Sequence, residues 1–192
     1  DIYQPVNDAH KTRPLLLLVH GGAFYVGNKQ SQTEQILAEK FTRMGYVVAS
    51  MDYRMGFKFK GDDIERSGYK AIQDIHAALR FLSNNAKSIG IDPTQIYVAG
   101  TSAGAMASLN VAFLENDERP NSTYAAKKLE DLGDIEKSGN PLKNKFEIKG
   151  VVNMWGALTD TLLIDSYERI PVISFHGTED DIVPIDHSHP FK

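Results

Sequence analysis

Short, mainly apolar runs alternate along the chain with segments in which apolar residues recur every three or four positions. The runs fall at 15–19, 46–51, 96–99, 148–154 and 171–175. A run that is apolar at nearly every position suits a strand buried on both faces, as in a parallel sheet covered by helices. The alternation therefore predicts an α/β protein with a doubly wound, mostly parallel sheet and helices on both faces.

The segments between the runs predict helices. Apolar residues recur at spacings of three and four over 69–86, which indicates the longest helix of the chain. Ser31 and Glu34 have the spacing of a capping box, in which the glutamate reaches back to the backbone at the helix start. A further amphipathic helix is predicted over 122–132.

The pentapeptide Gly-Thr-Ser-Ala-Gly at 100–104 directly follows the apolar run at 96–99. This pattern is typical of a nucleophile elbow, in which a strand turns sharply into a helix and leaves the central serine exposed. Glycines at both ends suit the turn, because a Cβ atom at either place would collide with a neighbouring strand or helix. Ser102 is therefore the predicted nucleophile.

Two glycines follow the aliphatic run at 15–19, within the segment His-Gly-Gly-Ala-Phe at 20–24. On its own, this segment would indicate only a tight exit from a strand. Beside an elbow, its backbone N–H groups can stabilise the negative oxygen of an acyl-transfer intermediate, by roughly 3 to 4 kcal/mol for each donor. We assign this oxyanion hole to the amides of Gly21, Gly22 and Ala103, the last of which follows the nucleophile.

The run at 171–175 opens into His-Gly-Thr-Glu-Asp-Asp-Ile-Val-Pro at 176–184, so an acid follows the serine along the chain. With these three segments the sequence resembles the α/β-hydrolases of the esterase and lipase kind, close to bacterial carboxylesterases with His-Gly-Gly in the oxyanion loop. The resemblance runs from Leu15 to Pro184. It implies an α/β-hydrolase fold and a serine hydrolase that cleaves carboxylic esters through an acyl-enzyme, without a metal or organic cofactor. It also implies that Asp180 orients the catalytic histidine, with Asp181 as the fallback.

The catalytic histidine is the point at which the sequence departs from that family. There the histidine follows one further strand, and no segment before Lys192 has the pattern of that strand. His187 and His189 are the candidate bases, because an extended segment of seven residues can span roughly 23 Å from Asp180. We expect a processed chain or a fragment, with a sheet that is incomplete at both ends and an exposed edge that favours self-association.

Residues 1–192 are expected to form a single domain with an insertion at 115–149, where the composition becomes charged and polar. By the resemblance this insertion forms a cap over the pocket; the alternative is a solvated excursion without substrate contact. Phe24, Tyr25 and Trp155 are candidate pocket residues, because they follow the ends of predicted strands, with a role in the core as the alternative.

Several other polar residues are interpreted as structural. By the resemblance, the segment Asp-Tyr-Arg at 52–54 supports the oxyanion loop, with Asp74 as a partner for Arg54. His20 and His176 are interpreted as loop-shaping residues, and His76 as a histidine at the edge of the core.

The amino-acid composition argues against several classes of binding partner. The 192 residues are 42% hydrophobic and 24% charged, with a net charge of −4 and no cluster of basic residues, so nucleic acid is not expected as a partner. The partner that the resemblance implies is a small-molecule ester. The longest aliphatic run, at 15–19, is far shorter than the ~20 residues of a membrane span. The absence of cysteine excludes disulfides and thiol chemistry, and no metal is expected.

The sequence does not decide the cellular compartment. The protein is cytoplasmic, or it is secreted or periplasmic if a signal peptide preceded Asp1.

Two alternatives to an esterase remain open. A serine peptidase of the prolyl-oligopeptidase type shares the elbow but usually depends on a propeller domain, and the sequence has no propeller repeats. A noncatalytic α/β-hydrolase scaffold with a binding role would account for the missing histidine. It would not need Ser102, Gly21, Gly22 and Asp180 together.

Overall fold

The structure is a computed structural model, and it describes residues 1–6, 9–58, 63–126 and 128–186. Within these residues six strands form one sheet in the order β1-β3-β2-β4-β5-β6. The strands are β1 (Ile2–Tyr3), β2 (Arg13–Val19), β3 (Val47–Met51), β4 (Ile91–Thr101), β5 (Ile148–Met154) and β6 (Val172–Phe175). All neighbours are parallel except β1 and β3, which confirms the doubly wound, mostly parallel sheet.

Helices cover both faces of this sheet. They are α1 (Gln32–Arg43), α2 (Asp63–Asn84), α3 (Ala86–Ile89) and α4 (Ala103–Phe113). Leu15 and Leu17 of β2 face the core that α2 and α4 close, whereas Leu16 and Leu18 face the core beneath α1. Each of these four leucines is at most 2% exposed, which is why the run at 15–19 carries no polar residue.

The predicted helix over 122–132 is wrong. The segment instead contains a short 3-10 turn at Asn121–Thr123 and an isolated antiparallel bridge between Ala126 and Leu129. Arg66 of α2 donates hydrogen bonds to the carbonyl groups of Ser122 and Glu130, the second at 2.7 Å. In a helix the Ser122 carbonyl would accept the Ala126 N–H. Here it accepts from Arg66, and the Ala126 N–H donates to the Leu129 carbonyl at 3.1 Å, so tertiary contacts override the weak amphipathic pattern.

The rest of the insertion at 115–149 also lies against α2. The side-chain amide of Gln73 donates to the carbonyl of Leu132 at 2.8 Å. His76 and Arg80 contact the two carboxylate oxygens of Glu136, at 2.8 and 2.9 Å. The insertion is therefore fixed to α2 by buried polar side chains as well as by apolar contacts.

Strand β6 forms one edge of the sheet in the part of the chain that is described. It pairs with β5 alone, and all four of its residues are exposed, Ile173 and Phe175 to 59% and 57%. Apolar side chains therefore lie open at this edge, as the sequence predicts. No helix among the described residues is both long and apolar enough to cross a membrane.

Candidate active site

The chain turns from β4 into α4 at Ser102, which has φ +50° and ψ −121°. The Ser102 N–H donates to the carbonyl of Met154 on β5, and the Ser102 carbonyl accepts from the Met106 N–H, both at 2.9 Å. The turn is thus tied to the sheet on one side and to the helix on the other. It leaves the serine side chain partly exposed at the carboxyl edge of the sheet, which is the geometry of a nucleophile elbow.

Two glycines permit the close packing around this turn. A Cβ atom on Gly100 would lie 2.3 Å from the backbone of Gly104. A Cβ atom on Gly104 would lie 2.2 Å from the carbonyl oxygen of Val19 on β2. Both separations are far inside van der Waals contact, so neither position accepts a side chain unless the backbone moves.

The loop after β2 brings backbone amides next to the elbow. A Cβ atom on Gly21 would lie 3.2 Å from the Cβ atom of Ser102. Within the described residues, the N–H groups of Gly21, Gly22 and Ala103 find no hydrogen-bond acceptor. Free donors beside a candidate nucleophile are what an oxyanion hole requires.

The same loop adopts a backbone conformation that disfavours side chains. Gly22 has φ +112°, and a Cβ atom there would lie 1.9 Å from the carbonyl oxygen of Val26. Ala23 and Phe24 also have positive φ, 53° and 58°, although neither is a glycine. Strain of this kind persists only where surrounding contacts hold the backbone in place.

Buried side chains support the loop from behind, as predicted for the segment at 52–54. The Tyr53 hydroxyl donates to the carbonyl of His20 at 2.9 Å, and the two rings stack with centroids 4.4 Å apart. The Nδ1–H of His20 donates to the carbonyl of Gly21 at 2.7 Å. Asp52 accepts from both the backbone N–H and the Nζ of Lys29, each at 2.7 Å, which closes the far end of the loop.

Arg54 has the predicted partner. Its Nε donates to the Asp74 carboxylate at 2.9 Å, and the Asp74 carboxylate also accepts the Arg54 backbone N–H at 2.7 Å. The pair links the end of β3 to α2, so its role is structural.

Asp180, the predicted acid, lies in the turn after β6. Its Oδ1 accepts the N–H groups of Val183 at 2.9 Å and of Ile182 at 3.0 Å. Its Oδ2 lies 3.6 Å from Nε2 of His176. The hydrogen bond from Val183 is the largest favourable cause that holds the pKa of Asp180 below its usual value, so the carboxylate is charged at neutral pH.

No described histidine hydrogen-bonds to Ser102. The Nε2–H of His176 donates to the Val183 carbonyl at 2.6 Å, and Nδ1 of His76 contacts Glu136. These two residues and His20 are thus engaged locally, as their structural interpretation predicts. The candidate bases His187 and His189 lie outside the described residues.

A cleft of about 1310 Å³ lies between α2, α4 and the loops that follow β5 and β6. Met106, one helical turn after Ser102, lines it, whereas Ser102 itself is not among its described lining residues. Phe24, which the sequence predicts near the pocket, is 5% exposed and lines this cleft. Tyr25 and Trp155 are not among its described lining residues; they are 49% and 40% exposed. Tyr25 packs instead on the ring of Phe57.

Sequence reasoning missed two residues of α4 that line the cleft, Met106 and Asn110. They follow Ser102 at intervals of four, so they lie one and two helical turns beyond it on the same face. That spacing was the signal that could have found them. The described residues contain no group of three or more His, Asp or Glu side chains placed to hold a metal ion.

The sheet order, the elbow and the oxyanion loop define the α/β-hydrolase fold. A solved structure described as a truncated form of a carbohydrate esterase from gut microbiota superposes with a TM-score of 0.69 over 96% of this chain and 73% of that one, at 22% identity. At that identity the match shows the fold alone. A model of the BD-FAE family matches residues 1–170, and the chain belongs to this family.

Curated relatives match over about half of this chain. Gut esterase 1 of Caenorhabditis briggsae is 35% identical over 97 residues, which are 50% of this chain and 17% of the relative. The neuroligin-like protein glit-1 of Caenorhabditis elegans is 34% identical over 99 residues, 51% of this chain and 13% of the relative. The matched segment is thus less than a fifth of either relative's length.

Proposed function

We propose that this protein hydrolyses carboxylic esters through an acyl-enzyme on Ser102. The observation that carries the proposal is the juxtaposition of a strained serine, at φ +50°, with the free amides of Gly21, Gly22 and Ala103. A binding protein would gain nothing from donors held at the position where negative charge develops during acyl transfer. The curated relatives named as esterases support the same chemistry.

In this mechanism Ser102 Oγ attacks the ester carbonyl, and a histidine accepts the serine proton and then donates it to the leaving alcohol. The amides of Gly21, Gly22 and Ala103 stabilise the oxyanion. Water then attacks the acyl-enzyme and releases the acid. Among the residues of the given sequence, His187 and His189 are the candidate bases, since each described histidine whose bonds are known has another partner.

Asp180 is the proposed acid of the triad. The amides of Val183 and Ile182 hold its carboxylate in place, and the lowered pKa keeps it charged while the histidine gains a proton. The expected result of Asp180→Asn is a loss of kcat of roughly a thousandfold or more, because the imidazole then loses its orienting charge. Asp181→Asn makes the same change at the fallback position and should retain activity; a loss in Asp181→Asn without one in Asp180→Asn would transfer the role to Asp181.

The proposed substrates are small carboxylic esters that fit the cleft beside Phe24 and Met106. Of the insertion at 115–149, Pro120 is the described residue that borders this cleft. We therefore propose that the insertion borders the cleft on one side and does not cover it completely.

The decisive experiment is steady-state hydrolysis of p-nitrophenyl acetate by the protein and by Ser102→Ala. Ser88→Ala makes the same change at an exposed residue of α3, whose hydroxyl donates to the Asn85 carbonyl, and serves as control. Turnover that survives in Ser88→Ala and disappears in Ser102→Ala supports the proposal. Equal turnover in both variants would place the reaction elsewhere.

A noncatalytic scaffold is the second candidate. Two observations favour it: no described histidine reaches Ser102, and one relative is named as neuroligin-like. A fluorophosphonate probe separates the candidates, because only an activated serine reacts rapidly. Absence of both turnover and labelling would favour the scaffold.

A further inference from the structure

Glu34 is a buried acid whose position the capping-box prediction does not explain. It lies in the first turn of α1 and is 2% exposed, but Ser31 makes no side-chain capping bond there. The Ser31 N–H, which the glutamate was expected to hold, donates instead to the Asn28 carbonyl at 3.2 Å. The capping box is therefore wrong, and Glu34 turns inward.

The Glu34 carboxylate lies behind the nucleophile elbow. Its Oε1 accepts the hydroxyl of Thr101, the residue directly before Ser102, at 3.3 Å. Its Oε2 is buried and has no hydrogen-bond partner among the described residues. Burial of a carboxylate with so few hydrogen-bond partners lowers the stability of the fold. At a site with only a structural role, an apolar residue of similar size would make the fold more stable than Glu34 does.

The same carboxylate also lies near the oxyanion loop. Its negative charge adds to burial in raising the pKa of Tyr53, whose hydroxyl donates to the His20 carbonyl. A Cβ atom on Gly21 would lie 3.2 Å from the Thr101 hydroxyl, so the loop after β2 lies next to the Glu34–Thr101 pair. Glu34 thus contacts the elbow through Thr101, at the place where the elbow and this loop lie side by side.

We propose that Glu34 is a positioning residue: through Thr101 it fixes the nucleophile elbow relative to the oxyanion loop. The inference rests on the proposed function, because the distance between the Ser102 hydroxyl and the oxyanion amides matters only if acyl transfer takes place there. Glu34 does not contact the reacting atoms. Its effect is on the alignment of the amides of Gly22 and Ala103 with the serine.

Three substitutions separate the hydrogen bond from the charge. Glu34→Met keeps the length of the side chain and removes the acceptor, whereas Thr101→Val keeps the shape and removes the donor. Glu34→Gln retains an acceptor and loses the charge. Glu39→Met, the same change on the exposed face of α1, is the matched control, because Glu39 is 67% exposed and forms an ion pair with the Arg43 side chain at the surface.

The first readout is kcat for p-nitrophenyl acetate, divided by the number of active sites that a fluorophosphonate labels. Glu34→Met and Thr101→Val should each lower kcat by roughly tenfold with little change in KM, since misaligned donors weaken binding of the transition state more than of the substrate. The double variant should be no worse than either single one. Glu34→Gln should restore most of the rate.

A merely structural role predicts a different result. Glu34→Met would then lower the free energy of unfolding and leave kcat per labelled site at the level of Glu39→Met. That result would overturn the inference, as would losses in the double variant equal to the product of the two single losses.

A second readout does not depend on turnover. In ¹H–¹⁵N spectra, Glu34→Met and Thr101→Val should each shift the amide signals of both Gly22 and Ala103, and Glu39→Met should shift neither. If the unsubstituted protein shows neither Ser102-dependent turnover nor fluorophosphonate labelling, the proposed function fails on those results, and these spectra decide the role of Glu34. Unmoved Gly22 and Ala103 signals would overturn it.

Discussion

Individual residues at the carboxyl ends of β2, β4 and β5 carry most of the backbone strain of the described chain. Ala23, Phe24, Ser102 and Trp155 are its non-glycine residues with positive φ, and each follows one of these strands. The left-handed conformation costs an ordinary residue roughly 1 to 2 kcal/mol. The fold concentrates this cost at the edge where the candidate nucleophile and the oxyanion amides meet.

Adjacent positions in the oxyanion loop are expected to differ in how strongly a substitution changes stability. Gly22→Ala should lower the free energy of unfolding by roughly 2 kcal/mol or more, because the new Cβ atom would meet the Val26 carbonyl oxygen. Ala23→Gly should change it by no more than about 1 kcal/mol, since relief of strain offsets the added freedom of the unfolded chain. Urea denaturation of both variants measures these differences; equal stability of Gly22→Ala and the parent would contradict the loop geometry.

Sequence alone could identify only part of this site. Glycines at 21, 22, 100 and 104 mark places where a backbone comes close, and the elbow at Ser102 follows from them. Nothing in the sequence marks Ala23, Phe24 or Trp155 as left-handed, because only tertiary contacts force those angles. Glu34 was misassigned for the same reason: the local pattern of a cap was present, and packing against Thr101 prevailed.

At the scale of elements, strands were predicted better than the insertion. The strand at Ile148–Met154 has the predicted bounds, because burial on both faces leaves a signal in every residue. The helix expected over 122–132 depended on three apolar residues, and the donors of α2 that displace it lie more than 50 positions away in sequence. Short-range patterns carry no information about such partners.

The link between α2 and the insertion should make stability depend on pH. The hydrogen bond with His76 is the largest cause that lowers the pKa of Glu136, and Arg80 also favours the charged form. A carboxylate with a lowered pKa stabilises the fold above its unfolded value of 4.5 and loses that contribution as the pH falls through the folded value. Glu136→Gln should therefore be less stable than the parent at pH 7, and the difference should shrink below about pH 4.5.

Thermal unfolding of the parent and Glu136→Gln between pH 3 and 7 tests this prediction. Glu147→Gln is the matched control, because Glu147 is 69% exposed and its ion pair with Lys149 is expected to contribute little. A constant difference between Glu136→Gln and the parent across the range would mean that the Glu136 charge is not what joins the insertion to α2.

Across the whole molecule, the strands of the sheet differ in how much of their surface is exposed to solvent. The central strands β2 and β4 are buried on both faces, whereas β6 exposes both faces and one edge among the described residues. Ile182 and Ile185, beyond β6, are each 59% exposed and enlarge the apolar surface. Open strand edges with apolar side chains are templates for pairing with another chain.

The 192-residue chain by itself is expected to self-associate through β6. Sedimentation velocity over a wide concentration range should show a growing fraction of dimers or larger species. Ile173→Lys, which puts a charge on the open strand, should shift the population toward monomer. Val6→Lys makes a similar change at a residue that is 82% exposed and lies beyond β1, and it should have no effect. A monomer at every concentration would show that the exposed edge alone does not drive association, and an equal response to both lysines would place the contact elsewhere.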